Sequence, residues 1–284
     1  MRTLLLIVLS VALACSDDGD GALDGAVHPD GGPVADSDGG PPAGTDGCGR
    51  APTVATGELV LQTLESGGTT RDWAVLLPEG YDPDRRYPVV YQFHGCSDNP
   101  MRETNNVPTQ RESGADAIVV RGRAVDRCWD TMASGPDVAF FDALVAEVEA
   151  TYCADPDRRF AAGYSGGAFM THQLACVRGD QLRGVATIAG GQPGRDCVGT
   201  VAALLIHDRT DGVVDIAASE RARDGHLERN GCGDTSSAVE PSPCEAYEGC
   251  DEGLPVVWCE TSGMNHSRQD DLAAPAFWDF FASL

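Results

Sequence analysis

Hydrophobic positions along the chain form short uninterrupted runs that alternate with stretches of helical spacing. The runs Tyr87–Phe93, Gly184–Ala189 and Val201–Ile206 are apolar throughout, which is typical of strands buried on both faces of a sheet. Between Asp137 and Tyr152 the apolar residues instead recur at helical spacing, after the start signal Pro136-Asp137. Strands that alternate with helices predict an α/β fold with a mostly parallel central sheet and helices on both faces.

Weaker patterns predict the remaining elements. Further strands are predicted at Glu58–Thr63, Asp72–Leu77, Ala117–Arg121, Phe160–Gly163 and Pro255–Cys259. Further helices are predicted at Ala168–Cys176 and Ala274–Leu284. Ligand sites in such sheets lie beyond the carboxyl ends of the strands, so chemistry is expected there.

The first residues have the pattern of an export signal. Arg2 precedes the apolar run Leu4–Ala14, which is too short to span a bilayer. Cys15 follows directly and resembles the cysteine of a bacterial lipobox, which implies cleavage before Cys15 and lipidation of its thiol. An ordinary secretory signal is the alternative. We predict a signal at 1–14, a tether at 15–47 and one α/β domain at 48–284.

Composition supports this division. Residues 16–47 contain eight aspartates and no arginine, so they cannot form a core and should be extended. The whole chain has a formal charge of −24 and no lysine. Such a surface repels nucleic acid and anionic lipid, so neither is an expected partner, and membrane contact is expected only through the lipid anchor.

The cysteines also indicate export. Of eleven cysteines, ten remain if Cys15 carries lipid, enough for up to five disulfides. One pairing that the spacing allows joins Cys244 to Cys250 and Cys232 to Cys259. Zinc-type spacing with histidines and CxxC are both absent from the sequence, so we predict no metal and no cofactor.

The segment Gly163–Gly167 has the G-x-S-x-G pattern of a nucleophile elbow. It lies between a predicted strand and a predicted helix, and its serine would stand at the helix N-terminus. Ser165 is therefore the predicted nucleophile. A glycine-rich turn with an idle serine is the alternative.

A serine hydroxyl needs a base, which this fold places near the end of the chain after an acid. We predict His266 as the base. Asp211 is the predicted acid because it follows the strand Val201–Ile206 by a few residues, and Asp208 is the alternative. Asp215 is expected on the next helix.

The other histidines receive different expectations. His94 is expected to have a structural or oxyanion-loop role, His172 to be packed and His226 to be solvated. The expected oxyanion donors are the backbone amides of Gly166 and Cys96, with Ser97 as an alternative to Cys96.

The chain resembles the secreted polyhydroxybutyrate-depolymerase and feruloyl-esterase group of carbohydrate esterase family one. The segments that carry this resemblance run through most of the chain from Cys48; they are Gly47–Arg50, Leu77–Tyr81, Tyr87–Val90, His94–Ser97, Cys128-Trp129, Asp137–Phe141, Tyr152–Arg158, Gly163–Gly167 with Ala168–Met170, and Gly263–His266. The resemblance implies an α/β-hydrolase fold, a serine carboxylic ester hydrolase, and Ser165, Asp211 and His266 as its triad. Asp208 stands where the family usually has glycine.

Members of that group act on feruloyl esters, acetylxylan or short hydroxyalkanoate chains. Cys128-Trp129 favours the feruloyl branch, where Trp129 would stack on an aromatic acyl group or a sugar; a packing role for Trp129 is the alternative. Expected partners are plant cell-wall feruloyl or acetyl polysaccharides or hydroxyalkanoate oligomers. The expected location is extracellular or cell-surface, on an outer-membrane anchor. A surface binding protein with an idle site, and a peptidase or thioesterase, are the competing functions.

Overall fold

Six parallel strands form the centre of the sheet, and antiparallel strands extend it at both ends. The computed structural model describes residues 47–97, 106–194, 197 and 199–284. Within these residues the strands are β1 Leu59–Ser66, β2 Thr69–Leu76, β3 Tyr87–Phe93, β4 Ile118–Gly122, β5 Ala154–Tyr164, β6 Gly184–Ile188, β7 Ala202–Asp208, β8 Ser236–Ala238, β9 Cys244–Tyr247 and β10 Val256–Thr261. Their order in the sheet is β1-β2-β4-β3-β5-β6-β7-β10-β9-β8. The six neighbouring strands β4, β3, β5, β6, β7 and β10 are parallel to one another.

Helices cover both faces of this sheet, as the alternating pattern predicted. They are α1 Gln110–Ser113, α2 Pro136–Thr151, α3 Gly166–Val177, α4 Ile216–Arg229 and α5 Asp270–Ala282. Side chains of α2, α3 and α4 belong to one hydrophobic core, and those of α5 belong to the core on the other face. The predicted α/β architecture is confirmed.

Alternation along the central strands divides their side chains between the two cores. In β3 all seven residues are buried. Tyr91 packs on Phe141 of α2 with ring centroids 5.3 Å apart, whereas Val90 belongs to the core of α5. On that second face Phe160 of β5 stacks on Phe281 at 4.5 Å. Both faces of the strand are thus desolvated, which explains its uninterrupted apolar run.

Several elements differ from the expectations, among them the short helix α1, which was not predicted. Strand β5 begins six residues before the predicted Phe160, and the strands β8 and β9 at one end of the sheet were not predicted. The limits of helix α4 were not predicted, because only three of its residues, Ser219, Ala222 and His226, are buried and its apolar periodicity is therefore weak. The expectation that His226 is solvated is wrong, since its side chain is buried against His172. His172 itself is packed, as predicted.

Five disulfides join Cys48 to Cys153, Cys96 to Cys128, Cys176 to Cys197, Cys232 to Cys250 and Cys244 to Cys259. The pairing Cys244–Cys250 with Cys232–Cys259 is therefore wrong. Cys244 of β9 lies directly opposite Cys259 of β10 in the antiparallel register, and this register decides the bond. Five such bonds indicate an oxidising, extracytoplasmic compartment.

The amino-terminal predictions concern residues that the structure does not describe. The signal at 1–14, Cys15 and nearly all of the tether at 15–47 lie outside the described residues. The description begins at Gly47, whose amide donates to Glu149 O at 3.0 Å. In the part of the chain that is described, no helix combines the length and apolarity needed to cross a bilayer.

Candidate active site

Ser165 occupies a strained turn between β5 and α3. Its dihedrals are φ 53° and ψ −118°, which few non-glycine residues adopt. Two glycines allow the turn: a Cβ on Gly163 would lie 2.2 Å from Gly167 O, and one on Gly167 would lie 1.8 Å from Phe93 O. The Ser165 amide donates to Ile188 O at 2.9 Å. The geometry is that of a nucleophile elbow.

The structure brings His266 to this serine. His266 Nε2 lies 3.0 Å from Ser165 Oγ, and Nδ1 lies 2.7 Å from Asp211 Oδ2. Because a carboxylate can only accept, Nδ1 carries the proton and the Nε2 lone pair faces the hydroxyl. This tautomer allows His266 to take the Ser165 proton.

The Asp211 carboxylate is fixed at both of its oxygens. Oδ1 accepts from the amides of Val213 and Val214 at 2.8 and 2.9 Å, and the side chain is inaccessible to solvent. Burial raises the pKa of this carboxyl, but the hydrogen bonds from His266, Val214 and Val213 outweigh it and hold the pKa below its ordinary value. Asp211 is therefore an ionised acceptor at neutral pH.

A second histidine, His207, faces the same carboxylate. Its Nε2 lies 3.0 Å from Val214 O and 3.4 Å from Asp211 Oδ2, so Nε2 is protonated and faces both acceptors. Its Nδ1 lies 2.5 Å from Ser219 Oγ. Burial lowers the pKa of His207, which favours the neutral ring. His207, which was not singled out from the sequence, thus contacts the acid and helps to hold it in place.

Asp208, the alternative acid, does not reach His266. Its carboxylate accepts from the amides of Met264 and Asn265 at 2.9 and 3.1 Å and from Thr261 Oγ1 at 2.9 Å. Burial raises its pKa, but the hydrogen bonds, from Thr210 above all, hold it well below its ordinary value. Asp208 thus anchors the loop that carries the histidine.

The two expected oxyanion donors are adjacent. Cys96 N lies 3.2 Å from the position of a Cβ on Gly166, and no acceptor for this amide is found within the described ranges. The alternative donor is engaged, because Ser97 N donates to Arg127 O at 2.9 Å. Of the two candidates in this loop, the Cys96 amide is the one next to Gly166 and without an acceptor among the described residues.

His94 holds the loop that carries Cys96 in place through hydrogen bonds. Its Nδ1 lies 2.7 Å from Gly95 O, and Ala124 N donates to its Nε2 at 3.2 Å. Holding Gly95 O also fixes the Cys96 N–H, because both belong to one planar peptide unit. Burial lowers the pKa of His94 to about 4, so the ring is neutral and can serve as both donor and acceptor.

Trp129 is buried beside this loop. The residue is 6% exposed, its ring packs edge-on against Phe93, and its Nε1–H donates to His94 O at 2.9 Å. The expectation that Trp129 stacks on an acyl group or a sugar is contradicted by this burial. The packing alternative agrees with the structure, and the ring is held close to the disulfide Cys96–Cys128.

Two further side chains at the site were not singled out from the sequence. Asn265, at φ 55°, accepts from the amides of His266 and Gly212 at 2.8 and 3.2 Å and joins the histidine loop to the acid loop. Tyr164 donates its hydroxyl to His266 O at 3.1 Å. The signal for Asn265 was its place in Gly263–His266, since asparagine tolerates positive φ.

The described residues contain no group of three or more histidine, cysteine, aspartate or glutamate side chains placed to hold a metal ion.

Comparisons with known proteins found relatives of known activity. No family model matches the chain. It is 29% identical to feruloyl esterase D of Neurospora crassa, over 83% of this chain and 89% of that protein. It is 28% identical to feruloyl esterase C of Emericella nidulans, over 82% and 89% of the two chains.

Solved structures share the fold. An acetyl xylan esterase from Aspergillus awamori superposes with a TM-score of 0.62 at 14% identity, covering 79% of this chain and all of that one. A CE1 ferulic acid esterase from Anaeromyces mucronatus superposes at 0.55 with 20% identity, covering 83% and 93%. The fold and the relatives together show that the protein is a carboxylic ester hydrolase with the α/β-hydrolase fold. The resemblance to the feruloyl esterases is confirmed.

Asp208→Asn should destabilise the protein most at neutral pH. The pKa of this carboxyl is lower in the folded chain than its ordinary value of 3.8, so its stabilisation is complete above that value and is lost as the pH falls below it. We expect a loss of about 1–3 kcal/mol in unfolding free energy at pH 7, measured with urea, and a smaller loss near pH 3. The exposed Asp234→Asn is the control. A loss that grows with acidity would contradict the assignment.

Proposed function

We propose that the protein hydrolyses feruloyl esters through an acyl-enzyme formed on Ser165. The observation that carries this proposal is the hydrogen-bonded series from Ser165 Oγ through His266 to Asp211, with spacings of 3.0 and 2.7 Å. The names of the curated relatives support the feruloyl group as the acyl part.

The first half of the reaction forms the acyl-enzyme. Ser165 Oγ attacks the ester carbonyl while His266 Nε2 takes the hydroxyl proton. Asp211 keeps His266 in the required tautomer and stabilises the imidazolium that forms. His266 then gives the proton to the departing alkoxide as its C–O bond breaks. Water attacks the acyl-enzyme in the second half, with His266 again as base, and the free acid leaves.

The negative charge of the tetrahedral intermediate is held by backbone amides. Gly166 N–H stands at the first turn of α3, where the helix dipole adds to its donor strength. Cys96 N–H is the second donor, and its orientation is fixed by His94 and by the bond from Cys96 to Cys128. A preformed pair of donors needs little reorganisation when charge develops.

Hydrolysis of acetyl esters of xylan is the second candidate. The acetyl xylan esterase with the same fold favours it, and the burial of Trp129 removes one reason to prefer an aromatic acyl group. Cleavage of hydroxyalkanoate oligomers is the third candidate and is implied only by the resemblance of the sequence.

Three substrates separate these candidates. We expect ferulate release from methyl ferulate, followed by chromatography, to exceed hydrolysis of a 3-hydroxybutyrate oligomer, with p-nitrophenyl acetate as the general esterase substrate. Acetate release without ferulate release would transfer the assignment to the acetyl candidate. Cleavage of the oligomer alone would favour the depolymerase.

Substitutions in the triad should abolish turnover without unfolding the chain. Ser165→Ala removes the nucleophile, and Asp211→Asn imposes the wrong His266 tautomer, for which we expect a loss on the order of 10⁴ in kcat. Asp208→Asn should cost less, because it only loosens the loop of the base. Hydrolysis rates and circular dichroism of all three variants test this assignment. A greater loss of activity in Asp208→Asn than in Asp211→Asn would exchange the two roles.

We also propose that the chain is exported and anchored by lipid at Cys15, with residues 15–47 as a spacer for the domain at 48–284. The five disulfides support export, and Cys15 after Ala14 supports the anchor. When expressed in a Gram-negative bacterium, the wild type should sediment with membranes and Cys15→Ala should not. A mature chain that begins elsewhere, or carries no acyl mass, would contradict the anchor.

A further inference from the structure

Two histidine side chains approach the same oxygen of the Asp211 carboxylate. His266 Nδ1 lies 2.7 Å from Asp211 Oδ2, and His207 Nε2 lies 3.4 Å from that atom. The other oxygen, Oδ1, accepts from the amides of Val213 and Val214. The proposed mechanism uses His266 alone, so His207 is a buried histidine at the triad whose contribution to the reaction is still to be assigned.

The ring of His207 is held at both of its nitrogens. Its side chain is inaccessible to solvent, and its Nε2 lies 3.0 Å from Val214 O. On the other side of the ring, Nδ1 lies 2.5 Å from the hydroxyl oxygen of Ser219 in α4. The Ser219 hydroxyl is also within hydrogen-bond distance of Gly190 O, beyond the end of β6. The ring is thus fixed between α4 and the loop that carries the acid.

Ser219 accommodates both charge states of this ring. In the neutral ring Nε2 carries the proton, and the Ser219 hydroxyl donates to Nδ1. When Nδ1 takes up a second proton, it donates to Ser219 Oγ, and the hydroxyl proton turns to Gly190 O. In both states the Nε2–H of His207 still faces Asp211, so its contact with the acid does not depend on its own charge.

The charge that acts most strongly on His207 is the carboxylate of the triad. Burial lowers the pKa of His207, and the bond to Val214 O and the charge of Asp211 oppose this effect. Glu260, its register partner in β10, is paired with Arg209. The titratable groups that influence His207 electrostatically are Asp211, His266 and Asp208.

A carboxylate oxygen that accepts from two rings stabilises a proton on either ring less than it would stabilise a proton on one ring alone. Because Asp211 and His207 are both inaccessible to solvent, water screens this competition only weakly. The N–H of His207 therefore reduces the hold of Asp211 on a proton bound to His266. A general base that releases its proton more readily stays in its active, unprotonated form at lower pH.

We propose that His207, held by Ser219, is a positioning residue that shares the Asp211 carboxylate with His266 and keeps the base active in weakly acidic solution. The proposal rests on the proposed role of His266 as the base and holds for whichever acyl group is removed. His207 does not touch the substrate in this account, because it acts through Asp211.

Substitutions at His207 separate its N–H group from its bulk. His207→Leu removes the donor, and His207→Phe replaces it should the leucine variant not fold. His207→Gln is the conservative variant, because its amide nitrogen can take the place of Nε2 and donate to Val214 O. His172→Leu is the matched control, since His172 is also buried beside α4 but bonds to Thr187 and His226 and not to the acid.

The rate of fluorophosphonate labelling of Ser165 is measured against pH for each variant, with circular dichroism as the test of folding. The acid limb of this profile should move to higher pH by about 0.5–1 unit in His207→Leu, as expected when the carboxylate loses one hydrogen bond. His207→Gln should restore most of the wild-type profile, and Ser219→Ala should give a smaller shift in the same direction. His172→Leu should destabilise the fold without moving the acid limb.

An acid limb that stays in place or moves to lower pH in His207→Leu would overturn the proposal, as would an equal shift in His172→Leu. An unchanged profile in Ser219→Ala would overturn the part assigned to Ser219. A general loosening of the structure lowers the labelling rate at every pH, so it does not reproduce the expected shift.

Nuclear magnetic resonance of ¹⁵N-labelled histidines separates failure of this proposal from failure of the proposed function. The His266 ring signals, assigned by comparison with His266→Gln, report its protonation without any substrate. If the wild type is not labelled and cleaves no ester, the proposed function fails, and the midpoint of the His266 titration still tests the sharing of Asp211. A higher midpoint in His207→Leu than in the wild type supports the proposal, and equal midpoints overturn it.

Discussion

The close packing of Gly167 against the carbonyl of Phe93 is the contact on which the candidate site depends. A side chain at Gly167 would collide with Phe93 O at 1.8 Å, so α3 can lie this close to the end of β3 only with glycine there. The close approach makes the turn sharp and holds Ser165 at φ 53°. The same contact brings α3, with the Gly166 amide at its start, beside the loop that follows β3 and carries the Cys96 amide. Nucleophile and oxyanion donors are therefore positioned by one steric constraint.

The two aspartates at the end of β7 divide a task between them. Asp211 faces His266 directly, whereas Asp208 accepts from the backbone of the loop that presents it, at Met264 and Asn265. His207, the residue directly before Asp208, faces the same oxygen of the Asp211 carboxylate as His266. Each aspartate has a lowered pKa for its own reason, and both must be ionised for the loop and the base to hold their places.

Much of this arrangement could be predicted from sequence, because its signals are local. The uninterrupted run in β3 and the elbow at Gly163–Gly167 each reflect a requirement within a few residues. The failures concern long-range packing. His226 was expected to be solvated because its helix is polar, yet it lies on the narrow buried face of that helix, against His172. Trp129 was expected to contact the substrate. Its burial depends on Phe93 and His94, which lie far from it in sequence, so no local pattern indicates that burial. The disulfide pairing required the β9–β10 register.

Covalent labelling by a fluorophosphonate, mapped by peptide mass spectrometry, tests the central claim that His266 and Asp211 activate one serine. The account predicts a single adduct on Ser165 that forms rapidly in the wild type, slows by orders of magnitude in His266→Gln and is absent from Ser165→Ala. An adduct on another serine, or equal labelling rates in the wild type and His266→Gln, would contradict it.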